Sequence, residues 1–439
     1  MLLTRLNRWL DGVLHPKSVQ DKNIRDVLVD GIGVGIASGI GTFLSVFLVR
    51  LGATNNQVGL LTAMPALTGM IFAIPVSRFL ERQRNIVPWY SRARFLVLSS
   101  YVLTGLVPFF FPNNEPIAII AIWAAATVPQ TIVNIAFTVV MGSVAGPKGR
   151  FFLMSRRWSL LGITQSITVA TVGLFLSRTE FPLNYQVAFL SSAVGGLLSL
   201  IFSSRIDLPD REPDEATGKR VSRREAWQEQ VRVFRATPVF SRFVIAQFVF
   251  RWGLSLPLPL FPLYWVRTLN ASDATIGYIN TVQGAVLLVA YFFWARVSRR
   301  RGVRFVLLAT SLGLTLYPAL TAMTTNVNLL IVYAGLSGFF LAGTDLVLFD
   351  VLLGAAPKSH QTTYVGLYQT TNNMAMFFAP LVGTFLSLRI GIPQALMVGA
   401  ALRLGGFALF YFMRIGAKPP AEDAAEADPD GAAASQSPQ

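Results

Sequence analysis

Apolar residues fall along this chain in long blocks with short polar gaps between them. Twelve blocks lie near 25–49, 57–77, 94–112, 117–143, 157–177, 184–204, 240–266, 274–296, 303–323, 327–355, 363–388 and 392–414. As a helix, each block is long enough to cross roughly 30 Å of hydrocarbon. The gaps suit turns between antiparallel helices. One gap differs: 207–237, DLPDREPDEATGKRVSRREAWQEQVRVFRAT, is long and charged and separates six blocks from six. Trp227, Val231 and Phe234 form an amphipathic strip within it. Ahead of the first block, Leu3, Leu6, Leu10, Val13 and Leu14 recur at helical spacing beside Arg5 and Arg8, which predicts a short interfacial helix. The stretch after about 416 is rich in Ala, Pro, Asp and Glu and is expected to be disordered. The predicted organisation is a six-helix bundle over 1–206, a linker over 207–237, a second bundle over 238–416 and a tail over 417–439.

Composition agrees with an all-α polytopic membrane protein. Hydrophobic residues make up 53% and charged residues 13%, about half the charged fraction of a soluble domain. The net charge of +15 raises the question of nucleic acid, and its distribution answers it. Arg5, Arg8, Lys17, Lys22 and Arg25 precede the first block; Arg78, Arg82, Arg84, Arg92 and Arg94 follow the second. Lys148, Arg150, Arg156 and Arg157 follow the fourth, Arg296, Arg299, Arg300, Arg301 and Arg304 the eighth, and Lys358 the tenth. The alternate gaps hold only Arg50, Arg178, Arg267 and Arg389. This positive-inside pattern puts both termini on the cytoplasmic face of the plasma membrane, with lipid rather than nucleic acid as the surroundings. The chain has no cysteine, which excludes disulfides and thiolate chemistry. Its two histidines, His15 and His360, sit in or beside loops, so no metal site is expected. There is no GxxxxGK[ST] phosphate loop and no cofactor motif.

The halves repeat one another. LGATNNQVGLL (51–61) aligns with LNASDATIGYI (269–279) at a spacing of 218, and SRFLER (77–82) with ARVSRR (295–300) at the same spacing. VGLFLS (172–177) aligns with VGTFLS (382–387) at a spacing of 210. Six spans per half give the repeats the same orientation. In this layout the chain resembles the major facilitator superfamily of secondary transporters. That family has a Gly-x-x-x-Asp-Arg-x-Gly-Arg-like motif after the second span. Here Ser77, Glu81 and Arg82 stand at its first Gly, Asp and Arg, and Ala295, Arg299, Arg300 and Gly302 form the second copy. The resemblance implies two six-helix bundles rocking about a central site. Glu81, Arg82, Arg299 and Arg300 are candidates for a cytoplasmic gate, or for plain anchoring. The Gly-Pro motif of drug/proton antiporters is missing from the fifth block.

Charges inside a span are expensive and point to function. Arg251 and Asp345 lie at matching depths in the seventh and tenth blocks. The resemblance would let them face each other across a cavity, Arg251 being released to an anionic group or to proton coupling. Gln247, Gln130, Asn134, Gln165, Gln283, Gln369, Asn372 and Asn373 lie at similar depth and are candidates for the same cavity, although amides also glue helices together. Asp30, Asp345 and Asp350 are candidates for proton coupling, while Arg403 finds no partner in the sequence. Gly31, Gly35 and Gly39 predict a close-packed face; Pro257, Pro259 and Pro262 predict a broken seventh helix; Asn55 and Asp273 are expected as helix N-caps.

The expected function is proton-linked transport of a small solute by a monomer, not an enzyme. Drug or amphiphile efflux and lipid translocation are the alternatives on the same fold, and a membrane-embedded transferase is a more distant one. An alkaline phosphatase reporter inserted after Asn113 should be active and one fused after Gln439 inactive. The reverse pattern would overturn the orientation.

Overall fold

The structure is a computed structural model that describes residues 18–209, 234, 237–355 and 361–416. The expected N-terminal helix at 2–14, the linker residues Trp227 and Val231, Lys358 and the tail after 416 lie outside the described residues. Helices fill all twelve apolar blocks. Among the described residues, eleven spans are long and apolar enough to cross a membrane: Val19–Arg50, Val87–Phe110, Glu115–Met141, Leu153–Leu176, Leu183–Ser204, Pro238–Thr268, Asp273–Arg301, Val303–Met323, Val327–Leu352, Gly366–Ile390 and Ile392–Phe412. The second block is the 27-residue helix Asn55–Glu81. The spans are numbered here in chain order, so Asn55–Glu81 is the second and Ile392–Phe412 the twelfth.

Helix starts and stops follow backbone chemistry. The third, fourth, seventh and twelfth spans carry Pro in the first two helical positions, where a missing amide donor loses no hydrogen bond. Gly302 and Gly391 take φ of +85° and +90° at the tight joints after the eighth and eleventh spans, a conformation that favours glycine. Helical residues run without interruption from Glu115 to Leu176 through the fourth and fifth spans. The two legs are nonetheless antiparallel. Phe137 meets Arg157 at one end, while Trp123 (through Tyr101) and Thr168 lie level with Gly39 and Gly41 at the other. The seventh span breaks where its prolines predict: helix ends at Ser255, resumes over Leu260–Leu263 and finishes as a π-helix over Tyr264–Thr268.

The halves share one packing plan. The first span packs on the fifth and sixth and the third on the sixth; the seventh packs on the eleventh and twelfth and the ninth on the twelfth. The halves meet where the second span packs on the eleventh and the fifth on the eighth. Both described termini lie at one end of the molecule, here the near end. At the far end the halves share one hydrophobic core, in which Phe43, Phe47 and Phe189 join Leu256, Tyr264 and Leu396. Toward the near end each half has its own core, one around Tyr90 and Met141 and the other around Phe243 and Trp294.

Small residues let the spans approach. The predicted face of Gly31, Gly35 and Gly39 meets Arg157, Leu161, Thr164 and Thr168 of the fifth span. Gly33, on another side, lies against the sixth, where an added Cβ would come 2.5 Å from the Gly195 carbonyl oxygen. Gly33→Ala should therefore destabilise the protein by about 1–3 kcal/mol through overpacking. Gly354→Ala, where a Cβ meets nothing within 4 Å, should be neutral or better in the same detergent melting experiment.

Candidate functional site

At the far end two arginines exchange acceptors between the halves. Arg50 ends the first span, and its guanidinium reaches Asp273 at 2.7 Å and the Ala271 carbonyl oxygen at 2.9 Å. Arg267 ends the seventh span, donating to the Asn55 Oδ1 at 2.5 Å and to the Ala53 carbonyl oxygen. Ala53 corresponds to Ala271 and Asn55 to Asp273 at the repeat spacing of 218, and Arg267 stands one residue before the counterpart of Arg50, so each half makes a similar reach into the other. Tyr185 donates to Asp273 at 2.7 Å, and Asn55 donates to Ser387 at 2.9 Å. Asn55 and Asp273 are thus not the expected N-caps. The Thr54 and Ser272 hydroxyls cap the second and eighth helices, accepting from Gln57 N and Thr275 N. The next side chain in each is left to turn toward the opposite half.

Beneath this latch lies a cavity of about 350 Å³. The first span supplies Thr42 and Ser45, and the broken seventh supplies Arg251, Ser255, Phe261 and Trp265. Asn280 and Gln283 enter from the eighth, Tyr317 from the ninth, Ser337 from the tenth, Met376 from the eleventh and Arg403 from the twelfth. The break at Leu256–Pro259 sets this wall, because an uninterrupted helix would turn Phe261 and Trp265 to a different bearing.

The expected Arg251–Asp345 ion pair is not made. Arg251 Nη2 instead lies 3.1 Å from the Met376 sulfur, and its Nε has no partner. Asp345 accepts a long 3.5 Å bond from Tyr291. Counting depth from helix ends placed the two charges level, but Asp345 is one turn nearer the near end than Leu341, which lines the cavity. Arg403 finds the partners the sequence did not show: Nε donates to the Gly253 carbonyl at 2.8 Å and Nη1 to the Leu314 carbonyl at 2.6 Å.

Among the other amide candidates, Gln283 lines the cavity and donates to Ser337 at 3.3 Å. The rest lie elsewhere. Gln130 bonds Asn134 of its own helix, Gln247 is buried beside Tyr368, and Gln165 packs against Gly35. Asn373 lies near Gly69, Asn372 is buried and Gln369 exposed. Asp350, Arg82, Arg299 and Arg300 are exposed, and no salt bridge joins these four among the described residues. The Glu81 side chain lies outside the described residues.

Asp30 anchors a cluster that the sequence concealed. It is 1% exposed, 2.9 Å from Arg157 and 3.5 Å from Arg94, and accepts from Ser199 at 2.5 Å. Arg94 also donates to Tyr90, and the Arg157 guanidinium sits 4.5 Å from the Phe137 ring centre. Both arginines open apolar blocks, where the sequence groups them with the loop charges. The signal for finding them is that Arg94 and Arg157 open blocks that begin at the same end as the block holding Asp30, which lies five residues inside its own. The cluster ties the first, third, fifth and sixth spans together and leaves Asp30 engaged on both oxygens.

Residues 243–437 match the sequence profile of the Major Facilitator Superfamily. The whole architecture matches solved transporters of that fold. The fold is that of major facilitator superfamily transporters, and the C-terminal half carries that family's sequence profile. The structure of the nucleoside transporter NupG superposes with a TM-score of 0.66 at 12% identity, covering 89% of this chain and 99% of NupG. A bacterial homologue of the human lysosomal transporter Spinster, inward-facing and occupied, gives 0.67 at 13% identity over 90% and 97%. The xylose transporter XylE from E. coli, inward open, gives 0.63 at 14% identity over 90% and 95%. Among sequence relatives, the multidrug resistance protein MdtG of Salmonella choleraesuis is 24% identical over 168 residues, 37% of this chain and 41% of MdtG. The Serratia proteamaculans protein of that name is 26% identical over 166 residues, 36% of this chain and 39% of its own. The matched stretch thus spans well under half of those relatives.

Asp30→Asn keeps the shape of the cluster but leaves two buried guanidiniums without a carboxylate. It should lose about 3–5 kcal/mol of stability, read as a lower melting temperature. Adding Arg157→Met should recover part of the loss.

Proposed function

We propose that this protein is a secondary active transporter of a small solute that works by alternating access. The observation that carries the reading is the division of the hydrophobic core. At the far end one core and the exchanged arginines bind the halves together; toward the near end the halves pack separately. A cavity closed at one end by a breakable latch is what rocking bundles need. With the near end cytoplasmic, the conformation is closed to the outside.

The proton-coupling role falls to Asp345 rather than Asp30. Asp345 is exposed and weakly held by Tyr291, whereas Asp30 is bound on both oxygens. Efflux of drugs or amphiphiles is the second reading, favoured by the match to proteins named for multidrug resistance.

The absence of native cysteine makes a substrate-free test possible. Ser45→Cys places one thiol in the cavity beneath the latch. A membrane-impermeant maleimide applied to right-side-out vesicles should label it slowly. Adding Arg50→Ala and Arg267→Ala should raise the rate several-fold and lower labelling from the cytoplasmic side. Rates that ignore the latch would overturn alternating access.

A further inference from the structure

We infer that the cavity beneath the latch binds a small amphipathic organic anion, its oxyanion head on Arg251 and its apolar or aromatic body against Phe261, Trp265 and Tyr317. The inference rests on the transporter reading only for why a solute enters this cavity.

The argument is one of unmatched donors. Arg251 and Arg403 both line the cavity, and among the described residues no Asp or Glu lines it. Arg403 is held by two backbone carbonyls, which occupy two of its donors and bring no negative charge to it. Arg251 is less well served. Its Nη2 contact is to the Met376 sulfur, a weak acceptor, and its Nε is buried with no partner. The Trp265 indole N–H is also buried without a partner. Both orphan atoms are donors, so a ligand that completes this wall brings acceptors. A carboxylate or phosphate does so with its charge opposite to the guanidinium's, as the strong charge-assisted bonds of arginine require. A cation would meet two guanidiniums in the wall, the nearby carboxylate of Asp345 lying outside the lining.

The rest of the wall sets the body of the ligand. Phe261 stacks on Trp265 with ring centres 6.0 Å apart and lies 4.7 Å from Tyr317, making one continuous aromatic surface. The volume of about 350 Å³ lies at the small end of ligand pockets, which run from about 300 to 1,000 Å³. It suits a single aromatic or short aliphatic acid rather than a two-chain lipid.

The test compares ligands of one shape and different charge on the purified full chain: benzoate, phenyl phosphate, benzamide and benzyltrimethylammonium. Thermal stabilisation and quenching of tryptophan fluorescence report binding. An anion should bind at least about tenfold tighter than benzamide, in line with the worth of one charge-assisted bond. Arg251→Gln should remove that preference and Arg251→Lys keep part of it. Benzamide or the cation binding as well as both anions, or neither anion binding at millimolar concentration, overturns the inference. This comparison needs no variant, so misfolding of Arg251→Gln cannot decide it. Proteoliposome flux separates the two readings. Anions that bind through Arg251 but are never carried sustain the site and remove transport. A neutral solute carried without competition from any anion sustains transport and removes the site.

Discussion

The halves of this protein hold together at one end because Arg50 and Arg267 each find acceptors in the other half. Each guanidinium is partly covered by the opposite half, so the donors turned away from water reach a carboxylate, an amide or a carbonyl. Here the acceptors sit on the helix-starting segments 53–55 and 271–273 across the interface. That exchange closes the far end, seals one core across both halves and leaves the cavity directly beneath it. The two reaches differ in strength. Arg50 faces a carboxylate that Tyr185 also bonds, while Arg267 faces an amide. The first is an ion pair and the second a guanidinium bonded to neutral oxygens, so the latch is stronger on one side than on the other.

Buried charge is handled in two ways, and the contrast separates structure from function. In the N-terminal half, Asp30 gathers Arg94, Arg157 and Ser199 and ties four spans. Breaking such a cluster is costly because its members stay buried without partners. In the C-terminal half, Arg251 and Arg403 face a cavity whose wall holds no carboxylate among the described residues. The first arrangement is complete as it stands. The second has donors to spare, which is the condition of a site waiting for a ligand.

The repeat segments visible in the sequence turn out to be the segments through which the halves touch. Gly59 and Gly277, aligned at the spacing of 218, contact Thr384 and Gly173 at the two crossings between halves. Gly173 and Thr384 themselves lie in the aligned VGLFLS and VGTFLS stretches. Residues on a symmetric interface answer to the same steric demand twice, so duplication keeps them alike. Arg251 and Arg403 answer to the cavity, which is not symmetric, and they have no counterparts.

Span number, the division into two halves, the parallel repeat and the prolines that break the seventh helix were all determined by the sequence alone. Each depends on local composition or on spacing along the chain, and hydrocarbon enforces both by requiring helices of a set length. Arg251 and Gln283 were also readable as cavity residues, since charge and amides inside apolar blocks need a polar surrounding. Tertiary structure alone decided the partners. It set Arg251 against Met376 rather than Asp345, gave Arg403 two carbonyls, gathered Arg94 and Arg157 onto Asp30, and turned Asn55 and Asp273 from caps into latch residues. A side-chain partner depends on the rotation of each helix and on one turn of depth, about 5 Å. Neither is written in a block of apolar residues.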